Sequence, residues 1–237
     1  MCYHVKQTRK DKEHLEFSFD ADIKENVIPT YYHVNGFQRP QLLIITEENP
    51  NDLQLGTWSV APPNCYDLQK YWREKGASVL NTRDDSLFSS RAAEWKTDAV
   101  LENKCIAIVT GFYEPHKVGK ESYPYLLHRP DFELFGLCGY YTEQTDQLTF
   151  SIITTEANDL MSKIHNAAKR MPMTILPEDK ESYFELDTED KLKAEFNKSY
   201  SIPLDYRAVD SSVLNSNRGS NHKQIIKEIY HPIITDF

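Results

Sequence analysis

The sequence lacks long hydrophobic runs and any obvious export segment. None of its apolar stretches approaches the roughly 20 residues that a membrane-spanning helix needs. Residues 1–12 are polar and of mixed charge, unlike a signal peptide. We therefore expect a soluble, cytoplasmic protein with no membrane partner. Its 237 residues, 40% of them hydrophobic, are enough to bury a substantial core.

Cysteine is scarce, and its spacing excludes the common cysteine-based scaffolds. The four cysteines are widely separated and contain no CxxC pair: Cys2, Cys65, Cys105 and Cys138. Neither a zinc site nor a disulfide framework is expected from such spacing, and a reducing cytosol fits it best. We expect no metal and no cofactor.

Positive charge is also in short supply. The chain has 27 Lys and Arg against 36 Asp and Glu, a net charge of −9. A protein held on nucleic acid by bulk electrostatics needs the opposite sign. Any contact with DNA must therefore come from a local cluster of basic side chains.

Apolar segments with strong β-propensity recur along the chain and alternate with fewer helical patterns. They predict one α+β domain over residues 1–237, built on a curved or barrel-like, mainly antiparallel sheet with peripheral helices. The charged, weakly periodic segment 11–28 is expected to be a mobile excursion, and 211–221 a loop. The predicted strands are 41–46, 55–60, 106–112, 123–127, 134–141 and 148–154, and the predicted helices are 68–75, 86–102, 158–164 and 177–196.

The second residue is the most informative one. Methionine before a side chain as small as that of Cys2 is commonly removed, which leaves an α-amine and a thiol on one residue. The amine condenses with an aldehyde to an imine, and the thiolate closes a five-membered thiazolidine. Both groups titrate close to neutral pH, at about 7.7–8.0 and about 8.5. Alone, Cys2 is weak evidence, because a buried or incidental cysteine is the commoner case.

Three further segments carry residue types suited to chemistry. An apolar strand ends in Asn81 and Arg83, where arginine suits bidentate phosphate contact, although a helix-start Asn and a surface Arg are equally ordinary. Another strand delivers Glu114 beside aromatic residues, which suits acid–base work; a structural glutamate is the plainer interpretation. A third segment contains His165 and then Arg170, and a lone histidine is more often structural than catalytic.

Taken in this order, these segments resemble the SOS response-associated peptidase (SRAP) family. Members begin Met-Cys-Gly-Arg and continue with Trp-Gly-x-x-Pro, Asn-Ala-Arg-x-Glu, Gly-Phe-Tyr-Glu-Trp, Thr-Thr-x-Ala-Asn and Ile-His-x-Arg-Met-Pro. The resemblance extends from residue 1 to about residue 215. The corresponding segments here are Met1-Cys2, Trp58 to Pro62, Asn81 to Asp85, Gly111 to Pro115, Thr154 to Asn158, Ile164-His165 and Arg170 to Pro172.

The resemblance implies covalent capture of abasic sites in single-stranded DNA, the activity for which the family is known. It implies that Cys2 forms a thiazolidine with the ring-opened sugar and that Asn81 lies at the crosslink. It places Glu114 near the α-amine and His165 at the sugar as a proton donor. The partner would be single-stranded DNA with an abasic site, and no obligate protein partner is evident. The arginines that fall at the family's phosphate contacts are Arg83, Arg91 and Arg170.

The chain departs from the family pattern mainly where the family contacts DNA. Four residues, 166–169, separate His165 from Arg170 where the pattern has one, so Arg170 need not reach phosphate. The catalytic set is intact while the DNA-contacting set is thinned. The substituted positions are Tyr3 and His4 for Gly-Arg, Ser59 for Gly, Asp85 for Glu and Pro115 for Trp.

Three other functions remain open from the sequence alone. Cys2 with Glu114 and His165 could act as a thiol peptidase, including on Met1. The chain could bind single-stranded or modified DNA without reacting with it. It could also be a divergent member that has lost DNA function, which the charge of −9 permits.

Overall fold

The computed structural model describes residues 2–196, 202–215 and 219–231. In chain order the strands in these ranges are β1 His4–Gln7, β2 Asp22–Ile23, β3 Tyr31–Asn35, β4 Gln41–Thr46, β5 Asp52–Trp58, β6 Asn81–Arg83, β7 Lys104–Val109, β8 Gly111–Val118, β9 Glu121–His128, β10 Phe135–Glu143, β11 Leu148–Glu156, β12 Arg170–Pro172, β13 Thr174–Ile175 and β14 Asp205–Ala208. The α-helices are α1 Lys12–Phe19, α2 Leu68–Lys75, α3 Asp84–Leu87, α4 Glu94–Glu102, α5 Asp159–Ile164, α6 Lys180–Phe184 and α7 Glu189–Phe196.

Two sheets carry the fold. The smaller has five antiparallel strands in the order β14-β9-β8-β1-β3. The larger runs β12-β11-β10-β7-β4-β5-β2, with β13 attached to β10 and β6 to β11. A further parallel pairing of β11 with β5 makes this sheet curl, without forming a closed barrel. The predicted fold class, a mainly antiparallel curved sheet with peripheral helices, is confirmed.

The larger sheet separates two hydrophobic cores. Alternate residues of β4 point to opposite faces, so Leu42 and Ile44 lie in one core while Leu43 and Ile45 lie in the other. Burial on both faces explains the continuous apolar run that predicted this strand. Cys2 is part of the first core, so the residue that motivates the functional hypothesis lies inside the fold.

The prediction for segment 11–28 is wrong, because this segment forms α1 and then β2. Asp11 caps the helix by accepting a hydrogen bond from the His14 amide, at 3.4 Å. Leu15 and Phe19, one helical turn apart, are both buried in the second core. The two apolar residues anchor the helix, although charged residues around them mask the periodicity.

Two predicted helices are interrupted. The pattern over 86–102 gives two helices, α3 and α4, with a turn between them, and 177–196 gives a short 3-10 helix followed by α6 and α7. In the predicted loop 211–221, Ser211–Leu214 is a 3-10 helix and 216–218 lie outside the described residues. Within the described ranges, no helix combines the length and the apolar character needed to cross a membrane.

Candidate active site around Cys2

Cys2 is held directly by Asn81. The Asn81 amide nitrogen donates a hydrogen bond to the Cys2 carbonyl oxygen at 2.7 Å, and both residues are buried. Asn81 begins β6, whose parallel pairing with β11 fixes its position in the larger sheet. The Cys2 thiol points to the His4 carbonyl oxygen at 3.8 Å. Burial, reinforced by the negative charge of Glu114, raises the pKa of the thiol well above its usual value.

Glu114 and His165 form a second buried pair. Glu114 Oε2 lies 3.3 Å from His165 Nδ1, and both side chains are almost completely withdrawn from solvent. Burial raises the pKa of Glu114, and the neighbouring His165 acts in the opposite direction. Because the Glu114 charge also affects the Cys2 thiol, the two pairs belong to one site.

The hydrogen bonds of His165 define which ring nitrogen can take part in proton transfer. Nδ1 lies 2.9 Å from the Arg170 carbonyl oxygen. A carbonyl oxygen can only accept, so Nδ1 carries a hydrogen and donates it. Nε2 is then the ring nitrogen that can exchange a proton with a substrate. The contacts of Nδ1 orient the ring for this exchange.

The loop that follows His165 is a structural feature of this chain. Residues 166–169 return to the sheet through a hydrogen bond from the Lys169 amide to the His165 carbonyl oxygen, at 2.9 Å. Lys169 adopts a positive φ of 48° to make this turn. Asn166 bonds the backbone of Lys117 in β8 twice, at 2.9 and 2.8 Å. The longer loop thereby fastens His165 to the strand that carries Glu114.

The three arginines predicted to contact phosphate lie in different environments. Arg170 is buried, and its guanidinium pairs with Asp84 at 2.5 Å and bonds the Thr154 carbonyl oxygen. Arg83 is exposed and holds Asp85 through two hydrogen bonds, at 2.9 and 2.5 Å. Arg91 is exposed. Unlike the other two arginines, it lines a cleft. Their phosphate contacts stay predictions.

That cleft, of about 430 Å³, is a basic feature that the sequence analysis did not identify. Lys75, Lys96 and Arg91 converge on it, and Thr82, the neighbour of Asn81, lines it as well. Burial and the nearby Lys75 charge lower the pKa of Lys96. Among the described residues, no carboxylate forms an ion pair with any of these three cations. We name this feature the basic cleft.

His4 occupies the position at which the SRAP pattern has arginine. Its side chain makes hydrogen bonds on the face of β1 opposite Val5. Its Nδ1 lies 2.9 Å from His33 Nε2, and His33 Nδ1 lies 2.5 Å from the Ser220 hydroxyl. Burial and the neighbouring His33 lower the pKa of His4 to about 3, and burial lowers that of His33 to about 4. Both rings are therefore neutral at pH 7.

The buried His33 should make the protein acid-sensitive. Its folded-state pKa of about 4 lies below the ordinary 6.5, so between these pH values the unfolded chain binds the extra proton. Stability is then lost as pH falls, by about 1.4 kcal/mol per pH unit. Between pH 7 and pH 5, the free energy of unfolding of His33→Asn should fall by about 1–2 kcal/mol less than that of the wild type, measured by urea unfolding. Equal losses would contradict this assignment.

Comparison with known proteins agrees with the fold and identifies the family. The sequence profile of the family described as "SOS response associated peptidase (SRAP)" matches residues 1–216. The chain belongs to the SRAP family. Residues outside this match, 217–237, include the described segment 219–231, in which Ser220 contacts His33.

Named relatives of this SRAP chain share a common description. Abasic site processing protein YMR114C of Saccharomyces cerevisiae is 27% identical over 154 residues, which is 64% of this chain and 37% of the yeast protein. Abasic site processing protein YoqW of Bacillus subtilis is 27% identical over 174 residues, 71% of this chain and 72% of YoqW. The chain thus matches little more than a third of the yeast relative's length.

Solved structures show the same fold. A crystal structure of a Bacteroides thetaiotaomicron protein superposes with a TM-score of 0.77 at 23% identity, covering 97% of this SRAP chain and all of the other. A Bordetella bronchiseptica protein superposes with a TM-score of 0.64 at 20% identity, covering 88% of this chain and all of that one. At these identities the likeness concerns architecture alone.

Proposed function

We propose that this protein captures abasic sites in single-stranded DNA covalently, through Cys2 after removal of Met1. The observation that carries the proposal is the hydrogen bond from Asn81 to the Cys2 carbonyl, which holds the reacting residue within the electrostatic reach of Glu114. The names of the relatives, abasic site processing proteins, support the same substrate. Met1 itself lies outside the described residues.

The first chemical step is opening of the sugar. An abasic sugar is mostly a closed hemiacetal, and its aldehyde appears only when the ring oxygen is protonated and the hydroxyl on the same carbon loses a proton. His165 serves as the general acid through Nε2, because Nδ1 donates to the Arg170 carbonyl oxygen. A positioned proton donor of this kind contributes roughly 10²–10⁴-fold to the rate.

The second step joins the sugar to Cys2. The α-amine attacks the aldehyde carbon, the aldehyde oxygen leaves as water, and an imine forms. The thiol then adds to the imine carbon, which completes the thiazolidine with one C–N bond, one C–S bond and no change of oxidation state. The imine would promote β-elimination and strand cleavage; closure of the ring removes that electron sink and protects the strand.

Glu114 moves the protons in this sequence. Its pKa is raised by burial, so the carboxylate is a stronger base than an exposed one and can take a proton from the ammonium form of the amine. The same carboxyl can return a proton to the departing hydroxyl. The thiol needs a base too, because burial and Glu114 keep it protonated at neutral pH.

Removal of the Glu114 carboxylate should slow capture in a pH-dependent way. With Glu114→Gln, the amine must lose its proton unaided, and it does so above about pH 8. We expect a large defect at pH 6 that shrinks at pH 9, measured as the crosslinking rate on one abasic oligonucleotide. A defect of equal size at every pH would show instead that Glu114 only positions Cys2.

The basic cleft offers a path for the strand on the face of β6 opposite the Asn81 side chain. Thr82 of the cleft wall directly follows Asn81, and Arg83 comes next in β6. Phosphates bound by Lys75, Arg91 and Lys96 would hold the strand on the protein despite the overall negative charge. A local concentration of cations of this kind is what DNA binding by a chain of net charge −9 requires.

Binding to single-stranded DNA should depend on this cleft and on the exposed Arg83, and only weakly on salt. Each neutralised phosphate contributes about 0.7 to the slope of log K against log salt. We expect Arg91→Gln, Lys96→Gln and Arg83→Ala each to flatten the slope by about that amount. Lys120→Gln, an exposed lysine in the turn between β8 and β9, is the matched control. An unchanged slope in a variant removes that residue from the interface.

The thiol environment argues against proteolysis as the main activity. A cysteine peptidase uses a thiolate whose pKa is lowered by a neighbouring imidazole. Here the pKa of Cys2 is raised, and its thiol contacts the His4 carbonyl oxygen. His165 Nδ1 lies 3.3 Å from Glu114 Oε2.

The experiment that separates the candidate functions is electrophoresis of the protein with an abasic oligonucleotide. We expect a shifted band that survives denaturation by heat and detergent. A shift under native conditions alone would indicate a binding protein, and no shift would favour a peptidase or a member without DNA function. An undamaged oligonucleotide of the same sequence should give no denaturation-resistant band.

A further inference from the structure

Lys6 is a buried lysine without an acidic partner. It lies on the face of β1 opposite Val5, which packs into the first core, and only 8% of the residue is exposed. Its Nζ donates to the Thr110 hydroxyl at 3.0 Å. Within the described ranges no carboxylate lies within 4.0 Å of this amine. Burial of an ammonium group whose side-chain partner is a neutral hydroxyl is energetically unfavourable.

The neighbouring strands place a second cation near Lys6. Lys6 pairs across the strands with Gly111, where β8 and β9 approach each other closely. A β-carbon there would lie 2.7 Å from the Leu127 carbonyl oxygen and 3.8 Å from the β-carbon of His128, so glycine is required. His128 is the next side chain along this row, and it receives a hydrogen bond from Arg207 at 3.0 Å.

Arg207 is held in place by neutral groups. His128 Nδ1 lies 2.8 Å from the Arg129 carbonyl oxygen, so it carries the hydrogen and Nε2 accepts from Arg207. The guanidinium also stacks over the Phe132 ring at 5.2 Å. No ion pair of Arg207 occurs among the described residues. These contacts fix the guanidinium but leave its charge uncompensated.

The charges around Lys6 are mostly of the same sign. Burial, Arg207 and Arg9 together lower the pKa of Lys6 to about 8, so the amine is still largely protonated at pH 7. The carboxylates on this face of the smaller sheet are paired with other residues or belong to its edge strand β14. Glu133 holds Arg9 at 2.6 Å and His14 at 2.7 Å, Asp131 holds Arg129 at 2.6 Å, and Asp205 pairs across the strands with His128.

We propose that Lys6 and Arg207 form a binding site for a phosphate group, separate from the site of capture. A tetrahedral oxyanion can accept from both cations and from the Thr8 hydroxyl, which lies 3.3 Å from the Thr110 hydroxyl. Lys6 is four residues from Cys2, roughly 13 Å along an extended chain. The phosphate comes from a small molecule or from the DNA strand beyond the captured sugar, and the test distinguishes these sources.

The direct test follows the titration of the Lys6 side chain by NMR in the full-length chain. In chloride Lys6 should titrate near pH 8. Inorganic phosphate at the same ionic strength should move this titration to higher pH. The reason is that phosphate is expected to bind at least tenfold more tightly when Lys6 is protonated than when it is neutral. Lys120, exposed in its turn, is the internal control and should not respond. No response of Lys6 to phosphate or to DNA would overturn the proposal.

Arg207→Gln tests whether both cations take part without altering Lys6. The phosphate response of Lys6 should be lost in this variant; an unchanged response would overturn the two-cation site. Undamaged single-stranded DNA added to Cys2→Ala protein identifies the source. A response to DNA assigns the strand phosphate, and a response to inorganic phosphate alone assigns a small ligand. Because neither reagent is captured, the outcome is independent of the reaction at Cys2.

Discussion

A Cys2→Ala protein should form no denaturation-resistant adduct with abasic DNA. Alanine keeps the α-amine but cannot close the thiazolidine, so any imine hydrolyses when the DNA is denatured. Cys2→Ser should behave in the same way without reductant, although borohydride should trap its imine. The measurement is the fraction of oligonucleotide retained on a denaturing gel.

Cys65 provides the matched control for this experiment. It is half-buried, and its amide bonds the Gln144 side chain at 2.9 Å. Cys65→Ala should form the adduct at the wild-type level. A heat-stable adduct from Cys2→Ser at the wild-type level, without reductant, would exclude the thiazolidine mechanism.

A His165→Ala protein should crosslink roughly 10²–10⁴-fold more slowly than wild type, because ring opening loses its proton donor. Binding to undamaged single-stranded DNA should change little, since the imidazole is buried and its Nδ1 contacts lie within the protein. The measurement is the single-turnover rate of adduct formation at fixed pH. His14→Ala, which removes a surface histidine paired with Glu133, is the control.

A change of substrate separates acid catalysis from positioning. An oligonucleotide that carries an open-chain aldehyde needs no ring opening, so His165→Ala should capture it at nearly the wild-type rate. An equal defect on both substrates would indicate that His165 only maintains the site, through its contacts with Glu114 and Arg170. Capture of the abasic oligonucleotide at the wild-type rate would end its catalytic assignment.

The sequence was sufficient for the features that are encoded locally. Strand β4 was predicted with its observed bounds, because a continuous apolar run buried on both faces has a clear signature. The helix Leu68–Lys75 was likewise predicted with its observed bounds. The four residues Cys2, Asn81, Glu114 and His165 came from short motifs whose order is typical of the family, and their catalytic roles stay predictions.

Features that depend on distant parts of the chain could not be predicted in this way. Arg170 and Asp84 are 86 residues apart in sequence, and only folding reveals that they form a buried pair. Lys75, Arg91 and Lys96 meet in the basic cleft because two helices and a turn converge there. The net charge of −9 hides such a cluster completely.

Helix α1 illustrates a different limit. Three of its eight residues are charged, the apolar Phe17 is exposed, and its buried residues are Leu15 and Phe19. Two apolar positions one turn apart give a weak periodic signal. The helix forms because these side chains enter a core assembled from other segments of the chain.

The most direct test of the central claim is the intact mass of the adduct, formed without reductant on an abasic oligonucleotide. We predict the mass of the chain from Cys2 to Phe237 plus that of the oligonucleotide, less one water. Digestion of the adduct should place the added sugar on the peptide that begins at Cys2. An adduct that retains Met1, or one attached to another residue, would contradict capture through the α-amine and thiol of Cys2.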